Sequence, residues 1–384
     1  MENRLKISTI DLPIFVMVAK IFMNCSQVIP SFQVLDNIFV IIYLICIIYL
    51  ILKEKYTVRN LITISIISIF IFYSAVVTGY SDLLISYLFI LAIRDCNFDL
   101  IIKHIYKFYV FFFILHIVLT ITFSFTGTLT TSVFFRGVNR YTLGFTHPNT
   151  AGGKFFTLTL LYLWVYRNSI DIKRILVLIN VNLIVYLLSD SRTAFILSIL
   201  SIILFKIGSK KYVYLHIIIN KIALIIFPFL SILIYIFILL YDKSNPIALI
   251  MNKLLTGRIN LGAYALNRVG LTFFGRFIDF YGDLSQYSAM YGLNNFTFDC
   301  IYSFFFCNMG LIYIIILSLE FYFIAKRKTI YINICIILWS LYGVTEVSCL
   351  NVFNCYPIVF IVLLINSKGT LVINSEKKMR LYEN

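Results

Sequence analysis

Charge is what this sequence has least of. Only 13% of its 384 residues are Asp, Glu, Lys or Arg, against 61% hydrophobic, and the mean hydropathy is +0.95. Soluble domains carry about 25% charged residues, so a water-soluble globular fold is excluded. No soluble domain of about 50 residues or more stands apart from the apolar runs. The eight cysteines (25, 46, 96, 300, 307, 335, 349 and 355) contain no CxxC pair, which excludes zinc-finger and iron–sulfur spacings. Most lie inside apolar runs and read as small hydrophobes. The first run, from Ile10 to Met23, holds Asp11, Pro13 and Lys20, and no small-residue cleavage site follows. It reads as a span rather than a signal peptide. An internal repeat, expected of many transporters, is missing too.

What is present is a series of apolar stretches, many of them about 18 residues or longer, the length that crosses a bilayer as a helix. Spans are expected near 10–30, 32–52, 60–79, 82–93, 105–126, 149–166, 175–189, 193–207, 222–241, 300–325, 329–345 and 349–366. The expected fold is therefore all-α: one polytopic bundle of about twelve spans over residues 1–384, with Pro228 kinking the ninth. Two longer loops, about 127–148 and 242–299, fall on one side.

The net charge of +15 is mostly topology. Lys53, Lys55 and Arg59 follow span two; Arg94, Lys103 and Lys107 follow span four; Arg167, Lys173 and Arg174 follow span six. Lys206, Lys210, Lys211 and Lys221 follow span eight, Lys326–Lys328 follow span ten, and Lys368, Lys377, Lys378 and Arg380 come last. Every second loop is basic, which predicts that these loops and both termini are cytoplasmic. The basic charge does not point to nucleic acid. The other side needs no cations for topology, yet it carries Arg136, Arg140, Arg192, Lys243, Lys253, Arg258, Arg268 and Arg276. Arginine dominates there, and its planar fork suits phosphate. An anionic, phosphate-bearing ligand on the outer face is one reading. The other is pairing with outer acids such as Asp190, Asp279, Asp283 and Asp299.

Four short polar knots carry the candidate chemistry. In RYTLGFTHPNTAGGK (140–154), Pro148 suits the first turn of a helix, with Thr146 or His147 as its cap. Gly152 and Gly153 permit close helix approach. His147 and Lys154 are one heptad apart and share a helix face, with Lys154 roughly 10 Å into the span. A polar cavity lined by His147, Asn149 and Lys154 is expected; the alternative is that Lys154 snorkels outward. In SDSRT (189–193), Asp190 or Ser191 caps a helix and Arg192 is left to be explained. TGRINLGAYALNRVG (256–270) reads as an amphipathic helix capped by Thr256. It carries Arg258 and Arg268 and rests Ile259, Leu261, Leu266 and Val269 on the membrane surface. Glu346, at the outer end of span eleven, is expected to face the cavity. Asp299 opens span ten, as a cap or a site residue.

RGVNRYTLGFTHPNTAGG, SDSRTAF, LTGRINL with LTFFG, DCIYSFFFCNMG and YGVTE, in that order, resemble the Wzy-type bacterial polysaccharide polymerases of capsule and O-antigen assembly. These belong to the O-antigen ligase/polymerase superfamily, and the resemblance covers roughly residues 130–355. It implies a GT-C-like membrane glycosyltransferase. Such an enzyme transfers a glycan from undecaprenyl diphosphate to the next lipid-linked repeat unit, on the outer face of the cytoplasmic membrane. A flippase and a chain-length regulator are the implied partners. Essential arginines of that family match Arg136 or Arg140, and Arg258. Related ligases use a histidine in the large loop, whereas His147 ends the first outer loop. No DxD-like metal motif occupies an outer loop, so the expectation is a reaction with neither metal nor cofactor. Arginines would then stabilise the departing diphosphate. Arg192, Arg268, Asn149 and Lys154 are expected to bind substrate. Glu346, His147 or the leaving phosphate would take the acceptor proton. An O-antigen-ligase-like transferase and a lipid-linked oligosaccharide flippase or transporter are the rival readings.

Overall fold

A computed structural model describes residues 2–29, 32–54, 56, 58–125, 132–135, 138–210, 212–279 and 296–365. Arg136 and Asp283 lie outside them. The described chain is mostly helical. In order it forms α1 (Glu2–Cys25), α2 (Gln33–Leu52), α3 (Val58–Thr78), α4 (Asp82–Ala92), α5 (Phe98–Ser124), strands β1 (Ser132–Phe135) and β2 (Val138–Tyr141), α6 (Pro148–Tyr166), α7 (Ile172–Ser189) and α8 (Arg192–Gly208). There follow α9 (Val213–Asp242), α10 (Pro246–Leu254), α11 (Arg258–Val269), α12 (Ile301–Phe304), a π turn (Phe305–Met309), α13 (Leu311–Ala325), α14 (Ile330–Tyr342), two 3-10 turns (Val347–Leu350 and Tyr356–Ile361) and α15 (Val362–Ile365).

Four of these, α2, α5, α7 and α9, are long and apolar enough to cross a membrane. Shorter apolar helices lie within α3, α4, α13 and α14. This is a membrane protein built of helices. Several expected boundaries move. α5 begins at Phe98 rather than near 105, because Asn97 caps it by accepting from the Leu100 amide at 3.3 Å. Lys103, His104 and Lys107 therefore lie on the helix. α9 begins at Val213, so Lys221 is helical too, and the helix runs unbroken through Pro228. The expected span at 300–325 is divided by the π turn and Gly310.

The last expected span, 349–366, is not a continuous α-helix. Two 3-10 turns flank an irregular stretch at 351–355. Backbone of this kind persists at membrane depth only inside protein, and Phe353, Cys355, Tyr356, Ile358, Val359 and Phe360 are all buried. The loop at 127–148 adds an antiparallel hairpin, Val133 opposite Arg140, that an all-α expectation did not contain.

The chain divides into two compact units. The first comprises the described residues of 1–55, 88–213 and 353–384, the second those of 56–87 and 214–352. In the first, α1 packs on α2 and α5, and α6 packs on α5, α7 and α8. Lys20 bridges α1 to Asp36 of α2 at 2.6 Å. Asp99 of α5 accepts from Trp164 Nε1 at 3.0 Å, and both its oxygens accept from Arg167 Nη2 at 2.8 Å. In the second unit α11 lies against α10, α12 and the π turn, and α13 packs on α14.

Candidate functional site

In the first unit the loop before α6 is fastened to two helices. His116 of α5 is fully buried and stacks on Phe145, ring centroids 3.9 Å apart. Its Nε2 lies 3.1 Å from the Leu143 carbonyl, which can only accept, so Nε2 carries the proton. Nδ1 then accepts from Ser26 Oγ at 3.1 Å. The end of α1 adds backbone bonds from Gln27 to Gly144 and from Thr146 to Cys25. Gly144, at φ +81°, leaves no room for a side chain: a Cβ there would lie 2.1 Å from Thr120 Oγ1. These contacts fix the direction of β2 on one side and the start of α6 on the other.

His147 is the cap of α6, as expected. It is extended (φ −148°), and its Nδ1 accepts from the Asn149 amide. Pro148 occupies the first turn. Gly152 lets α6 meet the start of α8, since a Cβ there would fall 2.2 Å from Ser191 Oγ. Two helix N-termini, each a partial positive charge, thus stand side by side. Asp190 ends α7 in the left-handed conformation (φ +49°), and Ser191 caps α8 by position, without a side-chain bond.

Arg140 reaches from β2 into this junction and is 7% exposed. Its Nε donates to the Ser189 carbonyl at 2.8 Å. Nη2 donates to Asn149 Oδ1 at 2.5 Å and to the Asp190 carbonyl at 3.4 Å. It ties the C-terminus of α7 to the first turn of α6. Arg192 sits beside it with a side chain 65% exposed, paired to Asp190 at 3.1 Å. That hydrogen bond raises its proton affinity and keeps it cationic. So Arg140, Asn149, Asp190 and Arg192 form one assembly, with His147 on the adjoining first turn.

Lys154 lies deeper and is 7% exposed. It does not snorkel: Nζ donates to Asn354 Oδ1 at 2.8 Å and sits 5.7 Å from the Phe22 ring centroid. Thr157 Oγ1 donates to the Asn354 carbonyl. Lys154 therefore pins the irregular last segment to α6. His147 and Lys154, expected in one cavity, have different partners.

In the second unit Arg258 begins α11 and is 8% exposed. Nε and Nη2 each donate to the Thr345 carbonyl at 3.1 Å. Nη1 donates to the Leu255 carbonyl at 3.2 Å and to Thr256 Oγ1, and Nη2 is 3.8 Å from Asp299 Oδ2. All five N–H groups of a guanidinium thus have protein acceptors nearby. The cap of α11 is Gly257 rather than Thr256, and that of α12 is Cys300 rather than Asp299. Arg268 is exposed in the last turn of α11, 5.7 Å from the Tyr264 ring centroid. Glu346 is half-buried just after the carbonyl that holds Arg258. Of the four apolar residues expected at the membrane surface, Ile259 is buried, and Leu261, Leu266 and Val269 are half-buried.

No family model, curated protein or solved structure matches the chain.

Sequence reasoning passed over His116 and Asn354. A lone histidine in an apolar helix was a visible signal, and so was Asn354 two residues before Tyr356-Pro357 in a supposed span. The pairing of outer arginines with Asp190 and Asp299 had been one of the two readings for them, and both pairs form.

Proposed function

We propose that this chain is a membrane glycosyltransferase. In this reading it polymerises undecaprenyl-diphosphate-linked oligosaccharide repeat units on the outer face of a bacterial cytoplasmic membrane. The observation that carries the proposal is the Arg140–Asn149–Asp190–Arg192 assembly at the paired starts of α6 and α8. A buried arginine orients the junction, and an exposed one is held at its rim beside two helix N-termini. That arrangement attracts a diphosphate.

In the reaction the acceptor hydroxyl attacks the anomeric carbon. The bond from that carbon to the phosphate oxygen breaks, and its electrons leave with the diphosphate. Arg192 faces the growing negative charge. His147 accepts at Nδ1, so its neutral ring carries a proton on Nε2 and serves as a donor to phosphate oxygen. Proton removal from the acceptor then falls to the departing diphosphate. Asn149 and Lys154 hold the ground under the site, and Arg258 holds the start of α11.

The test is Arg192→Ala. Losing one oriented donor costs about two orders of magnitude in rate. The strain that depends on this protein should accumulate single lipid-linked repeat units with the protein level unchanged. Arg192→Lys should recover only part, since a point charge lacks the fork. Full-length polymer from well-expressed Arg192→Ala overturns the assignment.

A further inference from the structure

Two neighbouring pieces of the second unit are built inside out. In α10, Ala248 is buried and Asn252 faces α11. Asn252 Oδ1 accepts from the Asn260 amide at 2.9 Å, and its carbonyl accepts from Gly257 at 2.8 Å. The opposite face carries Ile247, Ile250 and Leu254, all exposed, the first by 62%. These three fall within one narrow stripe of a helix. A helix on a soluble domain turns its apolar face inward; α10 turns it away from the protein.

The extended strap at 270–279 has the same inversion as far as Phe277, beyond which Ile278 is buried and Asp279 exposed. Its polar groups point inward, onto the π turn. The Thr272 amide donates to the Phe306 carbonyl at 3.0 Å and the Arg276 amide to Asn308 at 2.8 Å. Leu311 and Ile312 return bonds to the carbonyls of Thr272 and Phe273 at 3.0 and 3.2 Å. Asn308 Nδ2 donates to the Arg276 carbonyl, and the Arg276 guanidinium donates to the carbonyls of Val269 and Leu271. Gly310 (φ +109°) makes the crossing possible, because a Cβ there would lie 2.5 Å from the Phe273 carbonyl. Leu271, Phe273, Phe274 and Phe277 project the other way, Phe277 by 68%. A strap so fully bonded along its backbone does not fold these rings back under itself.

We infer that α10 and the 270–279 strap lie in the membrane, with Ile247, Ile250, Leu254, Phe273, Phe274 and Phe277 inserted at the boundary between headgroups and acyl chains. The occupant follows from continuity. Phe229, Ile232, Ile236 and Leu239 form an exposed apolar stripe along α9, a helix long enough to cross the bilayer. α10 starts four residues beyond the end of α9, where that stripe reaches the lipid surface. Lys243 and Lys253 flank its apolar face, which suits headgroup phosphates, and aromatic side chains prefer this depth. In residues 256–270, whose sequence promised a surface helix, Ile259 is buried and Leu261, Leu266 and Val269 are half-buried. The inference holds whatever reaction the protein carries out.

The experiment needs no variant. The whole protein is placed in nanodiscs of phosphatidylethanolamine and phosphatidylglycerol. A small fraction of phospholipid bears a diazirine on the acyl chain near the ester. After irradiation, adducts are mapped by peptide mass spectrometry. Residues 246–254 and 271–277 should be labelled to within about twofold of the α9 stripe, the expectation for side chains 5–10 Å below the surface. Labelling of α9 alone, with α10 and the strap unlabelled, overturns the inference. So do cross-links joining these segments to a second copy of the chain in place of lipid.

Discussion

Arg258→Ala separates a clamp from a staple. The guanidinium gives two donors to the Thr345 carbonyl, two to Leu255 and Thr256, and one toward Asp299. Hydrogen bonds from a charged donor contribute about 1.5–3 kcal/mol each but do not add. The Asp299 side chain is 42% exposed and 3.8 Å away, so solvent screens that pair and it contributes little. The weight falls on the Thr345 and Leu255 carbonyls, which alanine would leave without these donors. Removing one side of a buried charged network costs about 3–5 kcal/mol, against a total stability of about 5–15 kcal/mol. The folded fraction should fall sharply. Membrane abundance at equal transcript level, and thermal unfolding in detergent, read this directly. Arg258→Lys should recover part of the loss, since an ammonium cannot serve both carbonyls with a fork. A protein of normal abundance and normal melting that makes no polymer refutes the staple and restores Arg258 as a ligand of the diphosphate.

Gly152→Ala should lower stability by about 1–3 kcal/mol, the usual cost of overpacking, because the new Cβ meets Ser191; detergent melting checks it. Lys154→Met keeps the stem but removes the donor to Asn354, and should cost about 1–3 kcal/mol. An unchanged melting temperature would show that the ammonium contributes nothing where it lies. His116→Phe removes the bonds to Ser26 and Leu143. It should depress polymer yield and speed proteolysis near 138–147, and unaltered protease resistance would refute its fastening role.

The membrane character and most helix positions were legible because hydrophobic length alone decides them. α2, α6, α7 and α8 fall within a few residues of their expected limits. The start of α6 was readable in detail: Pro148 and His147 have a local physical meaning that no tertiary contact overrode. The start of α5 was misplaced because Lys103 and Lys107 were taken for loop, when Asn97 had already capped the helix. The last segment was misread for a different reason. Hydropathy registers its apolar side chains but not its backbone, and what tolerates 3-10 turns there is burial and a pair of bonds from α6, 197 and 200 residues away in sequence. For the arginines, residue type predicted an affinity for anions, yet it could not tell Arg192, which is exposed, from Arg140 and Arg258, which are buried.

The irregular stretch after Asn351 also bears on how the chain is assembled. A segment released sideways into lipid must bring its own backbone hydrogen bonds, and 353–361 lacks an α-helical ladder to do so. Its acceptors are met by groups made much earlier in synthesis: Thr157 Oγ1 takes the Asn354 carbonyl, and Lys154 takes its side chain. Biogenesis of the C-terminal part therefore depends on α6 already standing in the membrane. Damage to α6 should appear as a late failure, with the final segment left outside the bilayer and open to quality-control proteases.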